Sequence, residues 1–159
     1  MRSGARSGIV TLTTDFGLED AYVGVMKGVI LGINPAARIV DLCHAVPPQD
    51  VQAAAFLLPT AWLYFPPGTI HVVVVDPGVG SQRRAIAVDV GAATFVAPEN
   101  GVLSYVLAEA DEQRAQAVHL TNRRYWLPQV SATFHGRDIF APVAAHLSLG
   151  VPLADLGEP

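Results

Sequence analysis

Apolar positions along the chain follow two rhythms, and their alternation predicts the order strand, helix, strand, helix, strand. Ile9–Thr13 reads as a first strand, ended by the turn Asp15-Phe16-Gly17. Tyr22, Val23, Met26, Val29, Ile30 and Ile33 then recur at helical spacing. A helix is therefore expected from Asp20 to Ile33, with Asp20 as N-cap or first-turn acid and Asn34-Pro35 as the stop. Arg38–Leu42 is a second strand. After the rigid Pro47-Pro48 turn, Asp50 favours a helix running to Leu63, kinked or in its last turn at Pro59.

Thr69–Val75 is the most apolar stretch, and a strand apolar on both faces belongs in the middle of a sheet covered by helices. Asp76-Pro77-Gly78-Val79-Gly80 follows as a turn. Arg84–Val90 and Ala93–Ala97 read as paired strands around Gly91, and Gly101–Ala110 as a short helix. Val118–Leu120 and Tyr125–Leu127 are candidate strands. Gly136–Leu149 is a helix with Ile139, Phe140, Val143, Ala144 and Leu147 on one face. The expected fold is α/β: a three-layer sandwich with a central, mostly parallel (mixed) sheet and helices on both faces. Ligands in such sheets bind beyond the carboxyl ends of the strands, which places Asp15, Cys43-His44 and Asp76 near one edge.

Composition narrows the function classes. With 159 residues, 51% of them hydrophobic, the chain can bury a core, and disorder is excluded. No apolar run reaches the ~18 residues of a membrane span. The net charge of −4 is spread along the chain, with Arg83-Arg84 and Arg123-Arg124 as the only basic pairs, so no nucleic-acid-binding face is expected. The lone Cys43 excludes an internal disulfide and fits a reducing, cytoplasmic compartment; it is either a nucleophile or buried filler. The opening MRSGARSG lacks the apolar region of a signal peptide and reads as a disordered tail over residues 1–8. Residues 9–151 then form the α/β domain, and 152–159 resemble the start of a linker.

Three clusters can do chemistry. In Thr13-Thr14-Asp15-Phe16-Gly17, a carboxylate just past a strand end suits a bidentate grip on a ribose diol, or it caps a turn. In the run from Asp76 to Arg84, glycines let the backbone approach a ligand, and a turn that doubles back brings Arg83 to Asp76. That pair is either functional or a structural ion pair. This run is neither a GxGxxG motif nor a P-loop. In Phe134-His135-Gly136-Arg137-Asp138, His135 sits at a helix start, where a neutral imidazole is favoured. There is no HExxH and no CxxC, so no metal spacing stands out. Asp15, Asp20, Asp76 and His135 together leave a hard-cation site open as an alternative.

Taken together, TLTTDFGLEDAYVGVMKG, DLCHAVPPQDVQAAA, VVVVDPGVGSQRRAIAV, APENGVLSYV and FHGRDIFAPVAAHLSLG resemble, in this order, the N-terminal domain of the S-adenosylmethionine hydroxide adenosyltransferases, relatives of the fluorinating and chlorinating enzymes. The resemblance covers nearly everything after Gly8. It implies hydrolysis of S-adenosylmethionine to adenosine and methionine, with that molecule as substrate and no cofactor. By position it implies a catalytic set of Asp76, Arg83 and His135 that handles the water. It implies that Asp15 holds the ribose hydroxyls, that Asp20 lines the methionine end, and that Phe16, Gln49, Phe134 and Gly136 line the pocket. Halogenating relatives lack this Asp-Arg-His combination, and the fluorinating ones carry Ser where Gly136 stands, so hydroxide is the expected nucleophile. The family form also implies a β-rich C-terminal domain that grips adenine and a homotrimer whose sites form between subunits.

The implied chemistry is physically coherent. A sulfonium substrate has a neutral thioether as leaving group, so no general acid is needed, whereas the attacking water must be held in line with ribose C5′ and lose a proton. On this reading Asp76 and His135 share the water, while Arg83 fixes Asp76. A non-catalytic nucleoside or S-adenosylmethionine binding module and a metal-dependent hydrolase are the competing readings.

Overall fold

A computed structural model describes residues 5–111 and 113–159. Its centre is a seven-stranded sheet of β1 (Ile9–Thr14), β2 (Arg38–Cys43), β3 (Thr69–Val74), β4 (Ala85–Asp89), β5 (Ala93–Pro98), β6 (Gln116–Leu120) and β7 (Gly157–Glu158). The order is β2-β1-β3-β5-β4-β6-β7. The first four of these run parallel, and β4, β6 and β7 add antiparallel neighbours. Helices α1 (Tyr22–Ile33) and α4 (Ala141–Ser148) cover one face, and α2 (Val51–Leu57) and α3 (Ser104–Glu109) cover the other. The expected three-layer α/β architecture is present.

Strand β3 shows why the layers form. Ile70, Val72 and Val74 point to the α1–α4 side and pack with Met26, Ile30 and Phe140. Val73, with Val75 just past the strand, points the other way and packs with Leu58, Trp62, Phe95 and Val106. Each of these side chains is nearly or fully buried, and each such burial stabilises the fold by roughly 1.5–3 kcal/mol. His71 also lies on β3, fully buried, stacked on Phe95 and hydrogen-bonded through Nδ1 to Thr11 Oγ1 at 2.7 Å. Burial lowers its pKa to about 4, so it is neutral in the folded protein at ordinary pH.

Several local expectations are corrected. Helix α1 begins at Tyr22 with Ala21 at the N-cap and no side-chain cap, so Asp20 is not the cap. Asp50 does cap α2, accepting from the Ala53 N–H at 2.9 Å. Beyond Leu57 the chain tightens into two short 3-10 turns, Leu58–Thr60 and Trp62–Tyr64, with Pro59 in the first. Tyr125–Leu127 is not a strand. Asn122 caps a 3-10 turn over Arg123–Tyr125, and the Leu127 N–H donates to the Asp138 carbonyl at 2.9 Å instead of joining a ladder.

That last bond explains the next segment. Pro142 has no N–H to offer the carbonyl four residues earlier, which is that of Asp138. Leu127 satisfies it, and residues Gly136–Phe140 form a π-turn ahead of α4 in place of a continuous helix.

Described residues at both ends of the chain are bonded to the domain. Residues 1–4 lie outside the described residues. Arg6 donates to Thr94 Oγ1 at 2.8 Å, and Ser7 N–H to the Gly68 carbonyl at 3.3 Å. Leu153–Leu156 forms a 3-10 turn that leads into β7, paired with β6. Among the described residues, no helix is long and apolar enough to cross a membrane.

Candidate active site

Strand β1 has β2 on one side and β3 on the other, so the loops leaving β1 and β3 diverge and open a crevice at the sheet's carboxyl edge. The turn from Asp76 to Arg84 reverses the chain at that same edge, because β4 starts there and runs antiparallel to β5. The result is an open cleft of about 280 Å³. Asp15 and Phe16 line it from β1, Pro48 and Gln49 from β2, Asp76 and Val79 from β3, and Thr133 to Gly136 from the segment before α4.

Asp76, Arg83 and His135 form one hydrogen-bonded array. Arg83 Nε donates to Asp76 Oδ1 at 2.9 Å and Oδ2 at 3.1 Å, and Arg83 Nη2 reaches Asp76 Oδ2 as well. The same Nη2 lies 2.8 Å from His135 Nδ1. His135 Nε2 lies 2.9 Å from the Ser131 carbonyl, which can only accept. The tautomer follows: Nε2 carries the proton and Nδ1 accepts from Arg83. The guanidinium also stacks over the Phe140 ring at 5.5 Å. Side chains of Asp76 and Arg83 are 4% and 10% exposed, so this pair is sheltered from solvent screening.

Burial first, and the Arg83 cation second, push His135 below its ordinary pKa. Burial and the guanidinium thus both favour the expected neutral imidazole. Turn and loop meet closely here. Gly80 has φ +77°, and a Cβ on it would strike the Ala132 carbonyl. A Cβ on Gly136 would lie 3.3 Å from Met26 Sδ, Phe134 Cε1 and Val74 Cγ1, so a side chain there would require these neighbours to give by a few tenths of an ångström.

Asp15 does not cap its own turn. Its Oδ2 accepts the Gln49 N–H at 2.7 Å, which ties the loop after β1 to the loop after β2. Gln49 is the one non-glycine with positive φ among the described residues, at 62°. Phe16, Tyr22 and Phe134 meet edge-on or tilted, with centroids 5.3–5.9 Å apart, and close one side of the cleft. Asp20 is exposed and does not line the cleft.

The four-ligand cation set does not converge: among the described residues, no three His, Cys, Asp or Glu side chains stand close enough to hold a metal. Cys43 is half-buried, with the Ala45 N–H 3.4 Å from its sulfur, and lies outside the cleft.

One residue here escaped the sequence reading. Asp138 is buried, and its Oδ2 accepts from Ser131 N–H and Oγ–H, both at 2.8 Å, while Arg137 Nε donates to Oδ1 at 2.7 Å. Burial raises its pKa, but the Arg137 and Ser131 hydrogen bonds outweigh this and hold it below the usual carboxylate value. Asp138 thereby fixes the loop whose Ser131 carbonyl sets the His135 tautomer. An acid set beside Ile139 and Phe140, on an otherwise apolar face, was the available signal.

Fold and site together define an α/β domain with a polar cleft of small-molecule size at the carboxyl edge of its sheet. The family model described as the SAM hydroxide adenosyltransferase N-terminal domain matches residues 10–157, and the chain belongs to that family. It is 51% identical over 148 residues to an (R)-S-adenosyl-L-methionine hydrolase of Salinispora tropica, covering 93% of this chain and 56% of that protein. A hydrolase of the same name from Thermus thermophilus is 46% identical, covering 93% and 60%. A solved structure, titled an uncharacterized conserved protein from Thermotoga maritima, superposes with a TM-score of 0.89 at 48% identity, covering 94% of this chain and 57% of that one. A fluorinase of Nocardia brasiliensis is more distant, at 27% identity over 176 residues. The chain thus spans little more than half the length of the relatives it matches.

Proposed function

We propose that this chain is the water-handling part of an S-adenosyl-L-methionine hydrolase that forms adenosine and methionine. The reading rests on one observation: Asp76, Arg83 and His135 are joined in a single array on a cleft that Asp15 lines independently. Water attacks ribose C5′ in line with the departing sulfur. The C–S bond breaks, its electron pair stays on methionine, and the water's proton is released.

The hydrogen-bond partners support a division of roles. Both His135 ring nitrogens are engaged, Nδ1 by Arg83 and Nε2 by Ser131, so the imidazole has no free lone pair for the proton. Asp76 keeps acceptor capacity on Oδ1, which receives only Arg83 Nε. Asp76 therefore takes the water's proton, while Arg83 and His135 hold the carboxylate in place. Asp15 accepts hydrogen bonds from the ribose diol, and Phe16, Gln49, Phe134 and Gly136 shape the surrounding wall. The motif resemblance assigns Asp20 to the methionine end, although its side chain is exposed and outside the cleft.

The expected partners are a small-molecule substrate and, in the longer form typical of the relatives, two further copies in a homotrimer. The expected compartment is the cytoplasm. Incubation with S-adenosyl-L-methionine tests the reaction. Adenosine and methionine should appear in equal amounts by chromatography, from the chain alone or extended to its relatives' length. Adenosine from neither form, with substrate bound unchanged, overturns hydrolysis in favour of a binding module.

A further inference from the structure

We propose that His44 is a positioning residue that sets Asp15 and Phe16 for the substrate, acting through Thr14. The inference rests on the reading of Asp15 as the carboxylate that receives the ribose hydroxyls. His44 is buried beside β1, and its side chain is 3% exposed. It arrives there through an irregularity in register: β1 and β2 pair one-to-one through Leu12↔Asp41, but Thr13 then pairs with Cys43, which skips Leu42. That slip brings the next residue, His44, level with Thr14.

With the imidazole neutral, the bonds around His44 have one consistent polarity. His44 Nε2 lies 2.7 Å from Asp41 Oδ1, and Lys27 Nζ donates to Asp41 Oδ2 at 2.7 Å, so Asp41 is an ionised acceptor and Nε2 carries the proton. His44 Nδ1 is then the acceptor for the Thr14 hydroxyl at 2.8 Å. Thr14 Oγ1 in turn accepts the Phe16 N–H at 3.2 Å. Separately, the Gly17 N–H donates to the His44 carbonyl at 2.8 Å. Residues 14 to 17 are thus held by His44 at both ends, through its ring and its backbone. Asp15 lies between these two holds, and Gln49, from the loop that follows His44, fixes its carboxylate.

None of these atoms needs to touch substrate, since Thr14 is fully buried and His44 does not line the cleft. Their effect is preorganisation. A carboxylate held in one place gives up less conformational freedom when a diol arrives.

The test compares adenosine with 2′,3′-dideoxyadenosine by NMR titration, because the ratio of their affinities reads Asp15 and little else. The unaltered chain should prefer adenosine by about tenfold or more, as expected for hydrogen bonds to a charged acceptor. Thr14→Val, which keeps the shape and removes the hydroxyl, and His44→Gln, which reaches Asp41 but not Thr14, should each shrink the preference to about twofold or less. His44→Asn, whose amide oxygen can replace Nδ1 as acceptor, should restore most of it. If His44→Gln fails to fold, Thr14→Val carries the test alone. A ratio near one in the unaltered chain overturns the ribose role of Asp15, and this inference with it. A normal ratio that survives in Thr14→Val and His44→Gln overturns the positioning role only.

Discussion

The two walls of the cleft are built on opposite plans. On one side, Asp76, Arg83 and His135 satisfy each other almost completely: three donor contacts from Arg83 fall on the carboxylate, and each imidazole nitrogen has a partner. On the other side, Asp15 accepts a single backbone N–H and keeps most of its acceptor capacity for a ligand. A group that must hold one geometry while a proton moves gains from being locked by neighbours. A group that recognises hydroxyls gains from open valences on a fixed base.

Breaking the closed side should have the largest effect. Arg83→Ala leaves a carboxylate that is 4% exposed without its cation and removes the donor to His135 Nδ1. Loss of one partner of a buried pair costs about 3–5 kcal/mol of stability, measurable by denaturant titration. Turnover should fall by roughly 10²–10³-fold, with substrate affinity changed far less. Asp15→Ala removes one hydrogen bond from a half-buried site and should cost about 1 kcal/mol of stability, yet weaken nucleoside binding. Equal stability losses in the two variants would erase the distinction between the walls.

The next effect concerns titration. Burial and Arg83 both disfavour the His135 imidazolium, so in the intact protein the ring should stay neutral below the ordinary histidine range. The contribution of neutral His135 is fully present above its unfolded pKa of about 6.5 and is lost as pH falls through the window below it. In Arg83→Ala the second cause is gone, so the His135 pKa, followed by NMR of the ring carbons, should rise toward the ordinary value. An unchanged titration would mean that Arg83 does not govern this ring.

How much of this was legible in the sequence follows the same division between side chains and backbone. The strands and helices declared themselves because a period of two and a period near 3.6 are imposed by which side chains meet the core, as Ile70, Val72 and Val74 against Val73 and Val75 show. Asp76 and Arg83 were legible as a pair because a glycine-rich turn of that length returns the chain on itself. Tyr125–Leu127 misled because β-prone residues there are captured by the Asn122 cap and the Asp138 carbonyl, which no periodicity records. The part played by Asp138 was hidden because its partners, Ser131 and Arg137, are ordinary surface residue types until the loop folds over.

Gln49 gives the smallest expected effect and the sharpest separation of backbone from side chain. Gln49 lines the cleft, as the motif resemblance implies, and the hydrogen bond it supplies there is the backbone N–H that holds Asp15. Its φ of 62° lies where a side chain is a burden and glycine is at ease. Gln49→Gly should therefore keep the N–H in place. The relief of the left-handed strain, about 1 kcal/mol, should be largely offset by the extra freedom of the unfolded chain, leaving stability within about 1 kcal/mol of the parent. Adenosine affinity, read by titration, should stay within about twofold, because the donor belongs to the peptide and not to the amide side chain. A larger loss would show that the Gln49 side chain itself grips the ligand, and the open wall would then rest on two recognising groups instead of one.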